Sequence, residues 1–237
     1  GMPEAQNNLA GMYFYGQGVA EDCREAAKWY RKSAEQGNAG GEAGLGWLYF
    51  CGLGVDEDWD EAGRLCRDAA GKGSEAACSV LGRICLSKGG EEDCREAMKW
   101  LRQAADRGNA EAELMVGDLF RHGLGVAEDP SEAAEWYLKA ADHGNPEAED
   151  TLGCMYMNGE GVERDPGMAL GLFKAAAEQG ESGALLHIGR FCYEAADGDE
   201  DLREAAEWYR MAAEKGEPAA AYDLGVMYLN GEGVGQD

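Results

Sequence analysis

The 237-residue chain has the composition of a folded protein and an acidity that argues against several classes of partner. Apolar residues make up 45% of the chain, which is enough to build a buried core, so we do not expect intrinsic disorder. The 21 basic and 46 acidic residues give a net charge of −25, which disfavours binding to nucleic-acid phosphates or to anionic lipid headgroups.

The sequence also bears on membranes and on location. No uninterrupted apolar run approaches the roughly 18 residues that a membrane-spanning helix needs, so we expect no membrane insertion. The N-terminal residues lack the basic and apolar regions of a signal peptide. Gly1 before Met2 is typical of a cloning remnant, and with Met2 as the native start we expect a cytoplasmic location. A chain trimmed behind a signal peptide would have the same sequence, so that alternative stays open.

An internal repeat runs along the chain from its first residues. The segment 18–39 returns with small changes at 125–146, and an apolar residue recurs every 35 or 36 positions. The recurring apolar residues are Leu9, Leu45, Leu81, Val116, Leu152, Ile188 and Leu224. Glycines recur in phase with them at Gly37, Gly73, Gly108, Gly144, Gly180 and Gly216. Self-similarity at a fixed spacing of this length predicts a repeat protein.

Two helices are predicted in each unit. The first, helix A, follows the pattern Ala-x-x-x-Leu-Gly-x-x-Tyr, which places its apolar residues on one helical face. The second, helix B, follows Glu-Ala-Ala-x-Trp-Tyr-x-x-Ala-Ala and ends before a glycine. Asp129-Pro130 and Asp165-Pro166 are typical helix starts. We place the units at 4–39, 40–74, 75–109, 110–145, 146–181 and 182–217, with a half repeat at 218–237, in a single domain over residues 1–237.

Glycines mark two further positions in the units. One follows the aligned apolar residue inside helix A, where it costs about 1 kcal/mol relative to alanine, so we expect two helix backbones to approach each other there. The others form a Gly-x-Gly-Val turn between helices A and B, in which we expect positive φ angles. None of these turns continues into a phosphate-binding motif. The third and sixth units lack the turn.

These residues resemble the Sel-1-like repeat, a relative of the tetratricopeptide repeat, over nearly the whole chain. The resemblance rests on the spacing, on the Leu-Gly-x-x-Tyr helix, on the Gly-x-Gly-Val turn and on the Glu-Ala-x-x-Trp-Tyr-x-x-Ala-Ala helix. It implies an all-α fold, a right-handed superhelix of antiparallel helix pairs with a concave face lined by the A helices. Family members mostly act as adaptors that hold other proteins together.

An enzymatic function receives little support from the sequence. One branch of the family is rich in cysteine, carries a disulfide in each repeat and has been linked with β-lactam binding. Cys78 matches one position of that disulfide, but Ala70 stands at the other. The chain has no Ser-x-x-Lys and no His-Glu-x-x-His. We expect neither enzyme activity nor a cofactor, and a β-lactam-binding or hydrolytic protein is the alternative.

The cysteines, histidines and acidic turns are the candidate metal or reactive sites of the chain. No Cys-x-x-Cys occurs, and the three histidines lie in different units, so no zinc site is predicted. The acidic turn around Asp58 lacks the glycine and the final glutamate of a calcium loop. Cys66 is predicted to lie in the core. Cys23 and Cys94 fall in the first turn of a B helix, where we expect exposed thiols; activation by the helix dipole is the alternative.

The concave face is the predicted working surface. By analogy with tetratricopeptide repeats, helix A contributes the positions two before the aligned residue and two, five and six after it. The predicted partner-binding residues are Phe14, Tyr15, Trp47, Phe50, Arg83, Arg121, His122, Met157, Asn158, Arg190, Tyr193 and Asn230. Partial burial against the next A helix is the alternative explanation for the apolar members.

The three arginines on this face stand out in such an acidic chain. They are predicted to bind carboxylates or a C-terminus of a partner, with salt bridges to neighbouring acidic residues as the alternative. We therefore expect a protein or peptide partner, either basic and attracted by the acidic surface or carrying a free carboxylate. The terminal A helix has no B helix after it, so the chain is expected to be a monomer or a weak end-to-end oligomer.

Overall fold

The computed structural model describes residues 1–235, and in that range it contains thirteen α-helices and no β-strand. The helices are α1 (Pro3–Tyr15), α2 (Cys23–Ala34), α3 (Ala39–Cys51), α4 (Trp59–Gly71), α5 (Glu75–Lys88), α6 (Glu91–Ala105), α7 (Ala110–His122), α8 (Pro130–Asp142), α9 (Pro146–Asn158), α10 (Pro166–Glu178), α11 (Ser182–Ala195), α12 (Asp199–Glu214) and α13 (Pro218–Asn230). The odd-numbered helices are the predicted A helices and the even-numbered ones are the B helices. The prediction of six pairs and one further A helix is confirmed.

Side-chain caps define where most of these helices begin. Asp129 and Asp165 each accept two backbone N–H groups from the first turn of their B helix, and a proline follows at the first helical position. Asn109 and Asn145 cap A helices in the same way. These caps satisfy backbone donors that a helix start would otherwise leave unpaired. The predicted helix starts at Asp-Pro are confirmed.

The helices form two compact units, one over residues 1–128 and one that begins at Asp129. Within each unit, consecutive helices pack on one another through small and aromatic residues. In the first unit, Ala26, Tyr30 and Leu48 belong to one buried cluster. In the second unit, Phe173 and Ile188 are buried together between helices α9, α10 and α11. No helix within residues 1–235 is long and apolar enough to cross a membrane.

The Gly-x-Gly-Val turns have the positive φ angles that were predicted. Gly159 and Gly161 have φ angles of 70° and 69°, in the left-handed region that favours glycine. The second glycine of the turn also lies against the preceding B helix: a Cβ on Gly161 would be 2.2 Å from the carbonyl oxygen of Pro130. Ser131 Oγ donates a hydrogen bond of 2.9 Å to the Gly161 carbonyl at the same place. The turn is therefore also a contact between successive repeats.

The glycine inside helix A meets a side chain rather than a helix backbone. A Cβ on Gly153 would lie 2.6 Å from the ring of Phe173, and one on Gly189 would lie 2.7 Å from the ring of Tyr209. We expected a second helix backbone at this place, and that expectation was wrong for these two glycines. The space that a Cβ would take is filled by a large buried side chain of helix B. No B helix follows Gly225 within residues 1–235, and a Cβ there would have no neighbour within 4 Å.

A buried carboxylate in the second repeat gives a stability prediction. The Glu42 side chain is 8% exposed and pairs with Lys72 Nζ, which also donates to the Gly37 carbonyl. We expect the Lys72→Met substitution to reduce the free energy of unfolding by about 1–3 kcal/mol, because Glu42 would be left buried without its partner. The measurement is urea unfolding followed by circular dichroism.

The Lys28→Met variant is the matched control for this prediction. Lys28 pairs with Glu25 on the surface of α2, where the side chains are 63% and 31% exposed. Its loss should cost less than about 0.5 kcal/mol, because exposed pairs within a helix contribute little. Equal losses in the two lysine variants would show that the buried position of Glu42 has no energetic consequence.

Candidate functional site

A cavity of about 450 Å³ in the first unit brings four of the predicted residues together. Phe14 and Tyr15 from α1, Trp47 from α3 and Arg83 from α5 all line it. Phe14 and Tyr15 stack edge to face with ring centroids 4.8 Å apart, and Tyr15 is 69% exposed. The A helices thus supply a wall of partly exposed aromatic rings.

The charged side of this cavity is already paired. Arg83 forms an ion pair with Glu111, and its guanidinium carbon lies 5.6 Å from the centre of the Trp47 ring. Arg83 was predicted either to bind a partner's carboxylate or to form a salt bridge with a neighbouring acidic residue. In the structure it forms the salt bridge. A partner's carboxylate would have to compete with Glu111 for the guanidinium group.

Phe50 occupies a different environment from the other aromatic residues predicted for this face. Its ring lies 5.8 Å from that of Trp47 and 5.7 Å from that of Trp59, the first residue of α4. The side chain is half-buried and packs on the core of the first unit. Phe50 therefore fits the alternative explanation, partial burial between helices.

Two smaller cavities in the second unit contain four more of the predicted residues. Met157, Asn158 and Arg190 line a cavity of about 230 Å³. Arg190 and Tyr193 line another of about 350 Å³. Arg190 Nε donates to Asp223 Oδ2 over 3.0 Å, and Tyr193 Oη donates to Glu232 Oε2 over 2.9 Å. Arg190 is thus also paired with an acidic neighbour.

The remaining predicted residues lie at the ends of A helices. Arg121 and His122 are the last residues of α7, and Asn230 is the last of α13. Arg121 is half-buried, whereas His122 and Asn230 are exposed. None of these three residues lines the three cavities described above. The twelve predicted residues are therefore divided among several surfaces, and none of the twelve is buried.

All eight cysteines lie within the described residues and are free thiols. Cys66 is fully buried, as predicted, and burial raises the pKa of its thiol to about 12. Cys23 is half-buried at the first position of α2. The expectation of an exposed thiol was wrong for Cys94, which is 7% exposed. Helix α6 begins at Glu91, and the packing of Gly125 on the Cys94 backbone covers this turn.

Asp150, Cys154 and His187 form a cluster that the sequence analysis missed. Asp150 and Cys154 are one turn apart on α9, and His187 lies on α11. His187 Nδ1 is 2.8 Å from Asp150 Oδ1, and Cys154 Sγ is 3.6 Å from His187 Nε2. Burial lowers the pKa of His187, but hydrogen bonds to Asp150 and Cys154 raise it, and the net result is a pKa of about 10. The imidazole is therefore charged at neutral pH and paired with the carboxylate.

The repeat spacing indicates that Asp150 and His187 lie close together. His187 stands 37 residues after Asp150, one position more than the repeat length, so the two fall at neighbouring positions of successive A helices. Cysteine motifs and histidine pairs within one unit carry no sign of this group, because its residues come from two repeats. A comparison of metal-binding residue types across successive repeats would have found the group.

Comparisons with known proteins place this architecture in a family. The Sel1 repeat profile matches residues 3–38, 39–74, 76–109, 110–145, 146–181, 182–217 and 218–237. The structure is similar to a Sel1 repeat protein from Oxalobacter formigenes, with 32% identity, a TM-score of 0.79, and coverage of 90% of this chain and 88% of that one. A search of curated proteins returned no significant match.

Two further solved structures have a similar fold. The protein c5321, a protective antigen of uropathogenic Escherichia coli, is 32% identical over all of this chain and 59% of its own length, with a TM-score of 0.57. A putative Sel1 repeat protein from Klebsiella pneumoniae shares the fold at 24% identity and a TM-score of 0.56, with coverage of 80% of this chain and 92% of that one. The predicted all-α repeat fold is confirmed. The seven profile matches, which together span almost the whole sequence, show that the chain belongs to the Sel1 repeat family.

Proposed function

We propose that this protein is an interaction scaffold without enzymatic activity, which holds a partner protein or peptide in the aromatic cavity of its first unit. Sel1 repeat proteins are in general protein-interaction scaffolds. The observation that carries the finer proposal is the group of partly exposed aromatic rings from α1 and α3 around a cavity of about 450 Å³. Aromatic residues are the side chains that most often anchor protein interfaces.

The charge of the chain indicates that the partner is basic. Arg83 is already paired with Glu111, so the cavity has no unpaired cation for a carboxylate. The net charge of −25 instead favours a basic segment, which the acidic surface would attract over several ångströms. We therefore infer that the partner presents an apolar or aromatic side chain to the rings and basic residues around it.

Affinity capture with Tyr15→Ala tests the scaffold function. The native protein and the variant are immobilised, and bound proteins from a lysate of the source organism are identified by mass spectrometry. Tyr15 is an exposed ring on the cavity wall, so its removal should leave the fold intact. We expect at least one partner that binds the native protein and is lost from the variant, with affinity weakened by about 30-fold or more if the ring is an energetic anchor.

Tyr222→Ala is the matched control, because Tyr222 is equally exposed at 73% but belongs to the second unit. The partner should bind this variant as it binds the native protein. The partner's association rate should also fall steeply as salt is added, because screening weakens attraction between opposite charges. Retention by Tyr15→Ala would refute the assignment to the first-unit cavity, and capture of no protein by the native chain would refute the scaffold function.

A further inference from the structure

We propose that Asp150, Cys154 and His187 form a binding site for one zinc ion in the second unit. The three residues supply a carboxylate oxygen, a thiolate sulfur and an imidazole nitrogen, and these atoms all lie within 4.8 Å of one another. Within the described residues this is the one cluster of its kind. The proposal stands on this geometry and is independent of the proposed scaffold function.

A zinc ion at this cluster would need the His187 ring to turn and the Asp150 carboxylate to move back. Two ligand atoms of a tetrahedral zinc site, one sulfur and one nitrogen, lie about 3.5 Å apart, given bonds of about 2.3 and 2.0 Å. Cys154 Sγ is 3.6 and 3.7 Å from the two ring nitrogens of His187, so it already has the right distance from the ring. Because it is almost equidistant from the two nitrogens, the ring must turn until one of them points at an ion bonded to the sulfur. The 2.8 Å contact between Asp150 and His187 is a hydrogen bond. The ion would replace the proton in this bond, and the carboxylate would withdraw by roughly half an ångström.

The donor atoms favour zinc over other common divalent ions. Magnesium and calcium prefer sites built from oxygen atoms alone. Zinc accepts thiolate, imidazole and carboxylate ligands in one site. The combination of all three donor types in this cluster therefore matches zinc.

The surrounding helices hold the three residues in place. Asp150 and Cys154 are fixed relative to each other by one turn of α9. The His187 ring lies 5.0 Å from the ring of Phe173, which is 2% exposed and so has a fixed position. The side chains of His187 and Asp150 are 27% and 17% exposed, so an ion between them would be partly shielded from water.

The site would keep one coordination position open. Cys154 and His187 line the cavity of about 230 Å³, together with Asn158 and Glu194. Three protein ligands and a fourth position occupied by water are typical of zinc sites that exchange a ligand. We infer that water or a small anion from the cavity completes the coordination.

The same three positions hold other residue types in the neighbouring repeats. The equivalent positions in the preceding pair of repeats hold Leu114, Asp118 and Thr151, and those in the following pair hold Leu186, Arg190 and Asp223. The fold therefore forms at these positions with apolar, hydroxyl, acidic and basic side chains, and in the following pair Arg190 and Asp223 form an ion pair. Three metal-binding residue types meet in one copy only, which points to a role specific to that copy.

Calorimetric titration with zinc alone tests the proposal. The full chain is reduced, treated with chelator and titrated with Zn²⁺ in excess Mg²⁺, which occupies sites made of exposed carboxylates. We expect one zinc ion per chain. The Cys154→Ser, His187→Gln and Asp150→Asn variants should each bind zinc at least about tenfold more weakly. Circular dichroism establishes that each variant is folded.

Cysteine and histidine substitutions elsewhere provide matched controls. Cys51→Ser removes another half-buried thiol and His143→Gln removes another histidine, so both variants should bind zinc like the native protein. Addition of Co²⁺ to the native protein should give a thiolate-to-metal charge-transfer band that Cys154→Ser lacks. Failure to bind zinc, equal weakening in the controls, or a cobalt spectrum without the thiolate band would each overturn the proposal.

Discussion

We expect the Gly161→Ala substitution to reduce the free energy of unfolding by about 3 kcal/mol or more. Gly161 has a φ angle of 69°, and an alanine in that conformation costs roughly 1–2 kcal/mol. The new Cβ would also lie 2.2 Å from the carbonyl oxygen of Pro130, which is backbone and cannot rotate away. The start of α8 or the turn would have to move, and overpacking of this kind typically costs a further 1–3 kcal/mol.

Gly171→Ala is the control for this prediction. Gly171 is exposed in the interior of α10, and a Cβ there would have no neighbour within 4 Å. Since alanine is the better helix former, this variant should be more stable than the native protein by about 0.5–1 kcal/mol. Urea unfolding followed by circular dichroism measures both variants. A Gly161→Ala variant as stable as Gly171→Ala would show that the turn does not hold successive repeats together.

The features that the sequence predicts well are local or repeated. The cap at Asp129 and the proline at position 130 specify a helix start without any distant contact. The positive φ angles of the turns follow from paired glycines at a fixed place in each unit. Because the same local pattern recurs along the chain, its repetition identifies the family as well as the helices.

The features that the sequence predicts poorly depend on what a side chain meets across helices. Arg83 and Arg190 stand at positions typical of a binding face, yet each finds an acidic partner on a later A helix. Cys94 occupies the same place in its motif as Cys23, and a glycine turn packs on the backbone of each. The difference is that α2 begins at Cys23 whereas α6 begins at Glu91, and Cys94 is buried. The Asp150 cluster combines two helices, so it is not visible within any one unit.

A second prediction compares the glycine inside helix A in two neighbouring repeats. We expect Gly189→Ala to reduce the free energy of unfolding by about 1–3 kcal/mol, because its Cβ would lie 2.7 Å from the ring of Tyr209. Tyr209 is 3% exposed and is enclosed by the core of the second unit, so the ring has little room to move. The better helix propensity of alanine offsets only part of this cost.

Gly225→Ala makes the same change one repeat later and should have the opposite sign. Gly225 is exposed in α13, no B helix follows it within the described residues, and its Cβ would have no neighbour within 4 Å. Alanine should therefore stabilise the protein here by up to about 1 kcal/mol. The two glycines hold the same position in their A helices, but only Gly189 is buried against the ring of Tyr209, so we expect opposite effects of the two substitutions. Equal effects in chemical unfolding would mean that the glycine is tolerated for a reason other than the aromatic ring opposite it.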